Sequence, residues 1–144
     1  MSGLLIIGWG NPLRGDDGFG RLAAERLAEL LPEAEVLAVH QLTPELMEPI
    51  SRAVRVVFID ASADGEPGEL RCGVVVASTN AEAFTHHATP AGLLAGAQSL
   101  YGCAPPAVLY SVRGESFEFG EGLTAGVRKA LEDLVAKSRN PALL

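Results

Sequence analysis

The sequence has few of the residues that would crosslink the chain or bind nucleic acid. It contains only two cysteines, Cys72 and Cys103, and they form neither a CxxC pair nor a zinc-binding spacing. Because free cysteine often behaves as a small apolar side chain, we expect both to be buried. Only 11 Lys and Arg stand against 18 Asp and Glu. A groove that follows nucleic-acid phosphates needs an excess of positive charge, so a nucleic-acid partner is not expected.

Long hydrophobic runs are also missing from the sequence. The apolar run at residues 4–8 has no positive residue before it, and it is too short for a signal peptide or a membrane span. We therefore expect a soluble, cytoplasmic protein with no membrane partner. Hydrophobic residues make up 48% of the chain and charged residues 20%. These proportions favour one folded domain over residues 1–144, without disulfides or a structural metal.

Strand-like and helix-like segments alternate along the chain. Short apolar runs predict strands at 4–8, 35–39, 54–60, 70–77 and 107–112. Apolar residues at helical spacing, with proline and capping signals, predict helices at about 17–31, 43–52, 89–100 and 123–137. Such alternation indicates a three-layer α/β fold, in which helices cover both faces of a twisted, mostly parallel five-stranded sheet. Segment 70–77 follows a turn, so we expect it to be an antiparallel edge strand.

The first predicted strand runs into the motif GWGNPLRGDDGFG at residues 8–20. Its glycines permit backbone angles and close approaches that other residues do not, and we expect Gly18 and Gly20 to allow close packing. Asn11 is expected to hydrogen-bond its own loop, and Asp16 to cap the following helix. Asp17 then falls in the first helical turn.

Nucleotide binding fits this motif poorly. Leu13 occupies the position where GxGxxG needs a third glycine, and the Lys-Ser/Thr pair of a Walker loop is missing. The two adjacent acids would also repel a phosphate at the positive end of the helix.

Three polar features follow, or lie near, the carboxyl edge of the predicted sheet, where ligand sites of such folds lie. They are Asp17, Asp60 after the strand VVFID, and the histidine pair before the third helix, His86 and His87. Each alone is explained as well by a capping acid or a solvated loop histidine. Together, two carboxylates and one imidazole form an incomplete ligand set for a divalent metal, which leaves positions open for other ligands.

The opening motif resembles the GxGNxLxxDDGxG signature of the hydrogenase maturation proteases. The likeness extends through VVFIDA, the histidine segment before a leucine-rich helix, and the final strand and helix. The resemblance implies a phosphorylase/hydrolase-like twisted sheet between helices. It also implies an endopeptidase that engages nickel already installed in the large-subunit precursor of a nickel–iron hydrogenase, and then cuts off the C-terminal extension of that precursor.

Carried over to this chain, the resemblance assigns catalysis to Asp17 and Asp60 and contact with nickel to Asp17, Asp60 and His86. The spacing to the leucine-rich helix favours His86 modestly over His87. Many relatives have glutamate at the position of Asp17, so the reach here is one methylene shorter. The resemblance implies that nickel comes with the substrate and that no organic cofactor is needed.

One segment departs from the family pattern. Relatives often carry a DGGTxG-like segment after the second strand, whereas this chain has HQLTPEL at residues 40–46. Gln41 and Thr43 are therefore expected to line the substrate cleft, although a helix cap and its neighbour explain them equally well. Gly10 and Asn11 in the glycine loop are expected to admit the extended tail of the substrate.

Two other functions have to be weighed against this one. Peptidyl-tRNA hydrolases also begin with a strand and a GxGNP-like loop, but they need a basic surface and a histidine soon after the loop, and the first histidine here is His40. A non-catalytic metal-sensing or chaperone module on the same fold is the other alternative. It stays open because the sequence has no Ser–His or Cys–His nucleophile pair in a supporting context. The chain is expected to be a monomer.

Overall fold

The computed structural model describes residues 3–78 and 88–144, apart from the side chain of Leu143. Its centre is a five-stranded sheet in the order β2-β1-β3-β5-β4. The strands are β1 (Leu4–Trp9), β2 (Glu35–Val39), β3 (Arg55–Ser62), β4 (Leu70–Val75) and β5 (Ala107–Arg113). All neighbouring strands are parallel except β4, which pairs antiparallel with β5 at the edge. The predicted fold class and the antiparallel edge strand are both confirmed.

Four helices connect and cover these strands. They are α1 (Phe19–Leu30), α2 (Met47–Arg52), α3 (Pro90–Tyr101) and α4 (Ala125–Lys137). Short 3₁₀ turns at Gly15–Gly18 and Pro44–Leu46 precede α1 and α2, so these two helices begin later than predicted.

The helices form one layer on each face of the sheet. Successive strand residues point to opposite faces, so each helix layer packs against every second residue of a strand. On one face, α1 and α4 pack against Ile6, Val57 and Tyr110. On the other face, α2 and α3 pack against Leu5, Val56 and Phe58. The α2–α3 face is the one that carries the candidate site described below. No helix in the described part of the chain is long and apolar enough to cross a membrane.

The prediction that both cysteines are buried is wrong, since both are exposed. Cys72 lies on β4, and an edge strand is covered less completely than the central strands. Cys103 lies in the connection between α3 and β5, just after Gly102 ends the helix with a φ of +78°. Such connections run over the surface, so a small apolar side chain there stays in contact with solvent.

Candidate active site

The loop after β1 is folded by its own polar groups. This opening loop comprises residues 10–18. The Asn11 side-chain oxygen accepts the N–H of Leu13 at 3.0 Å, which forms a tight turn of the kind that asparagine favours. The Asn11 N–H in turn donates to an Asp17 carboxylate oxygen at 2.9 Å. The prediction that Asn11 hydrogen-bonds its own loop is confirmed. The hydrogen bond from the Asn11 N–H also fixes the Asp17 carboxylate against the loop backbone.

Glycines bring the start of α1 into direct contact with the strand ends. A Cβ added to Gly20 would overlap the Ile59 carbonyl oxygen and would lie 2.5 Å from the Trp9 carbonyl oxygen. A Cβ on Gly18 would lie 2.7 Å from the Cα atom of Pro12. The predicted close packing at these two glycines is confirmed, and it places the opening loop over the ends of β1 and β3.

Gly20→Ala tests this close approach. The added methyl group meets two backbone carbonyls that cannot move independently of the sheet, so we expect a loss of about 2 kcal/mol or more in the free energy of unfolding. This loss outweighs the roughly 1 kcal/mol that alanine gains over glycine in a helix. Urea unfolding measures it. The matched control is Gly73→Ala on β4, where an added Cβ has no atom within 4 Å, and an equal loss in both variants would contradict the packing argument.

Asp60 lies inside β3, two residues before the strand ends, whereas the sequence predicted it as the last residue of the strand. The pairing of β1 with β3 stops at Gly8 and Ile59, while β3 remains paired with β5 through Asp60 and Ser111. Asp60 is thus the first β3 residue beyond its pairing with β1, at the carboxyl edge where ligand sites of such sheets lie. Its side chain is only partly exposed.

The environment of Asp60 disfavours its ionised form. Burial raises the pKa of Asp60, the backbone N–H of Ala61 lowers it, and the negative charge of Asp17 raises it by a smaller amount, so that the pKa is about 7. The two carboxyl groups are 43 positions apart in the chain, but the start of α1, just after Asp17, contacts the backbone of Ile59, just before Asp60. A carboxyl group with a pKa near neutrality can both accept and return a proton, which is the property required of a general acid–base.

Asp16, the other acid of the pair, has a structural role that the sequence did not predict. It is fully buried and does not cap its own helix, so the predicted N-cap is wrong. Its carboxylate instead accepts hydrogen bonds from the N–H groups of Glu115, Ser116 and Thr124 and from the Thr124 hydroxyl, at 2.7 to 3.0 Å. Asp16 therefore fixes a remote segment beneath the opening loop.

That remote segment, residues 114–124, is called the clamp loop here. Its contacts with the opening loop include a backbone hydrogen bond from Gly15 to Gly120 at 2.9 Å and one from Gly120 to Leu13 at 2.7 Å. Glu115 reaches on to the start of α4, where its carboxylate accepts the Gly126 N–H at 2.9 Å and lies 2.8 Å from the Thr124 hydroxyl, whose one proton it shares with Asp16. Sequence analysis missed these residues, and the only local signal was a threonine in capping position before the last helix.

Asp60 belongs to a row of paired residues that runs across the sheet. The side chains of this row lie on the α2–α3 face. Ser111 pairs with Asp60, and Arg71 pairs with Ser111 on the other side. Trp9 follows Gly8, the last β1 residue that pairs with β3, and packs edge-on against Phe58, with the ring centroids 6.2 Å apart. Asp60 is therefore flanked by an aromatic ring on one side and a hydroxyl group on the other, neither of which was singled out in the sequence.

Of the remaining predicted site residues, the structure describes some and leaves others outside the described part of the chain. Gly10 has a φ of +146°, and a Cβ there would overlap the Asp17 carbonyl oxygen, so its predicted special backbone angle and close packing are confirmed. Gln41 is exposed, and Thr43 is the N-cap of the 3₁₀ turn before α2 without a side-chain capping bond. His86 and His87 lie outside the described residues. Within residues 3–78 and 88–144, no cluster of three or more His, Cys, Asp or Glu side chains forms a metal site.

The whole chain was compared with known proteins. No family profile matches it, and no curated protein sequence matches it. Solved structures do match. The NiFe hydrogenase maturation protease HycI from Thermococcus kodakarensis KOD1 is 27% identical, with a TM-score of 0.74 over 92% of this chain and 87% of that one. The hydrogenase maturating endopeptidase HybD from E. coli is also 27% identical, with a TM-score of 0.72 over 96% and 93%.

A third match is hydrogenase 2 maturation peptidase from Thaumarchaeota archaeon SCGC_AB-539-E09, which is 25% identical with a TM-score of 0.66, over 95% of this chain and 97% of that one. These likenesses cover nearly the whole chain and confirm the resemblance predicted from the opening motif. The chain has the α/β fold of these proteins and is a hydrolase of the endopeptidase class.

Proposed function

We propose that this endopeptidase, which shares its fold with the hydrogenase maturation proteases, removes the C-terminal extension from the large-subunit precursor of a nickel–iron hydrogenase. The observation that carries the proposal is the position of Asp17 and Asp60 at the same carboxyl edge of the sheet, where a loop with the family's opening motif packs over the ends of β1 and β3. We also propose that the protein is a monomer and that it acts in the cytoplasm. The match to endopeptidases favours it over a non-catalytic metal-sensing module.

Nickel belongs to the substrate in this proposal. Asp17, Asp60 and His86 would engage nickel that the precursor already holds, with His87 as the alternative to His86. Two carboxylates and one imidazole suit a divalent metal that has other ligands of its own, because they leave coordination positions open. Gly10, Asn11, Gln41 and Thr43 are proposed to line the path of the extended tail.

The reaction is hydrolysis of one peptide bond. A water oxygen attacks the scissile carbonyl carbon while the Asp60 carboxylate accepts a proton from that water. The protonated Asp60 then gives the proton to the amide nitrogen of the leaving tail, and the C–N bond breaks. Of the two carboxyl groups, Asp60 is assigned this role because the pKa of about 7 in the free protein suits both transfers. The second proton of the water passes from the new carboxylic acid to the amine, so the products are a C-terminal carboxylate and the ammonium group of the released tail.

The experiment that tests this function presents the protein with precursor purified with and without nickel, in a mild chelator. We expect loss of the tail, detected by mass, at least about tenfold faster with the nickel-loaded precursor, since a lost metal contact costs 1.4 kcal/mol or more. Nickel added to the protease alone is expected to change nothing, because three such ligands hold the ion weakly without the precursor's own ligands.

Two matched variants accompany that experiment. His86→Ala should lose most of the nickel-dependent cleavage, and His87→Ala should keep most of it. The reverse order would move the assignment by one residue. Equal cleavage of nickel-free and nickel-loaded precursor by the wild-type protein would remove nickel from the recognition step.

A further inference from the structure

A groove lies beside Asp60 on the α2–α3 face of the sheet. Its volume is about 510 Å³, and it is open to solvent over β4 and β5. Most of its lining is apolar, and two of its polar residues, Ser111 and Arg71, lie in register with Asp60. The lining consists of residues 71–76 of β4 and its continuation, residues 89–91 at the start of α3, Leu109 and Ser111.

The floor of the groove exists because one residue has no side chain. Gly73 on β4 pairs with Leu109 on β5, so the two share one face of the sheet. A Cβ built on Gly73 would meet no atom within 4 Å, and its φ does not require glycine. Glycine is unfavourable inside a strand unless something approaches the backbone closely. Leu109 is consequently left only partly buried at the bottom of the groove.

The groove is continuous with the candidate site. Ser111 lines it, and Ser111 is the direct neighbour of Asp60 in the parallel pairing of β3 and β5. Adjacent strands are about 4.8 Å apart, so the groove begins one strand away from the carboxyl group assigned to proton transfer. A substrate bond placed at Asp60 would have a neighbouring side chain within reach of the groove.

The outer edge of β4 is poorly protected against pairing. In the described part of the chain β4 pairs only with β5. Edge strands are usually blunted by lysine, proline or bulges, whereas here Val74 and Val76 are 79% and 75% exposed. The ion pair between Arg71 and Glu69, at 2.6 Å, lies only at the beginning of β4. Extended peptides bind such edges through backbone hydrogen bonds, and alternate side chains enter adjacent pockets.

We propose that this groove is the subsite that receives an apolar side chain of the substrate close to the scissile bond, while the substrate residues beyond that side chain lie extended along β4. The proposal rests on the proposed endopeptidase function only for the identity of the substrate. Gly73 is the specificity-determining residue, since its missing side chain creates the space. Charged side chains are rejected because the groove has an apolar floor and its one guanidinium is already paired with Glu69.

The direct test fills the groove with Gly73→Leu. We expect kcat/KM for precursor cleavage to fall about 10- to 100-fold, mainly through KM, because a blocked hydrophobic pocket loses binding of that order. The control is Ala136→Leu, which adds the same side chain at an exposed position of α4, on the opposite face of the sheet. Product masses from the wild-type protein identify the residues that flank the cut. When the large apolar residue beside the cut is replaced by alanine in the precursor, the Gly73→Leu protein should regain most of its lost cleavage rate.

A second readout keeps the two proposals separate. Acetyl-Ala-Leu-Ala-amide and acetyl-Ala-Gly-Ala-amide are titrated into wild-type and Gly73→Leu protein, and amide NMR shifts are followed. The leucine peptide should shift the signals of Gly73 and Leu109 in the wild type only. Cleavage of the precursor at equal rates by wild type and Gly73→Leu would overturn the subsite and leave the function intact. If the precursor is not cleaved at all, the function fails, and the peptide shifts alone decide the subsite.

Discussion

Asp60→Asn is expected to lower the rate of precursor cleavage about 1,000-fold. The amide cannot accept a proton from the attacking water, and loss of a positioned general acid–base typically costs 10²- to 10⁴-fold. The side chain keeps its size at the partly buried position, so the fold should be retained. The measurement is the rate of tail loss by mass spectrometry, at substrate concentrations that separate kcat from KM.

The matched control for Asp60→Asn is Asp64→Asn, in the exposed turn that follows β3. It removes the same charge four residues away without touching the site. Full activity in Asp60→Asn, or an equal loss in both variants, would show that Asp60 is not the proton-transfer group.

The same variant should be more stable than the wild type above neutral pH. Because the pKa of Asp60 is raised to about 7, the folded protein binds this proton more tightly than the unfolded chain does. Asp60 therefore favours folding fully below about pH 4, and this contribution is lost as pH rises towards 7. The decline is at most about 4 kcal/mol for a shift of roughly three units. Asparagine does not titrate, so unfolding curves at pH 4 and pH 8 should differ less in the variant.

Asp16→Ala is expected to be the most destabilising single change near the site. It removes the acceptor of three backbone hydrogen bonds and of the Thr124 hydroxyl, and it leaves the partly buried N–H groups of Glu115, Ser116 and Thr124 without that partner. Hydrogen bonds to charged groups contribute about 1.5–3 kcal/mol each, although not additively, so we expect a loss of about 4 kcal/mol. In a domain of this size that lowers Tm by 10 °C or more.

Asp17→Ala is the control for this effect. It removes the neighbouring carboxyl group, which accepts the N–H of Asn11, from a position that is not fully buried. We expect loss of cleavage with less than about 1 kcal/mol of destabilisation. The two adjacent acids would thus have different roles, since Asp16 stabilises the fold and Asp17 takes part in cleavage. Similar thermal shifts in both variants would contradict this division.

The sequence predicted those parts of the molecule that depend on local patterns. Buried parallel strands appear as short apolar runs, so all five strands and their layer arrangement were found. The glycine packing at Gly18 and Gly20 was also predicted, because glycine at the start of a helix is costly without a steric reason. Asp60 was placed at the right edge of the sheet, although the strand continues beyond it.

What the sequence did not predict depends on contacts between distant segments. Nothing near Asp16 indicates that its partners are about a hundred residues away, and its local context fits a helix cap equally well. The row that joins Asp60 to Ser111 and Arg71 requires the pairing register of three strands. The exposure of Cys72 could not be predicted either, because it depends on how little covers the edge strand.

The clamp between Asp16 and residues 114–124 also bears on the order in which the protein can mature. During synthesis, the opening loop emerges about a hundred residues before the backbone groups that neutralise its buried acid. Until those groups arrive, burying Asp16 would leave a carboxylate without compensation, so the loop has reason to remain solvated. Ribosome-bound chains would then hold β1 and β3 without a finished catalytic loop. Peptide-bond cleavage would begin only when residues 114–124 have docked against the opening loop.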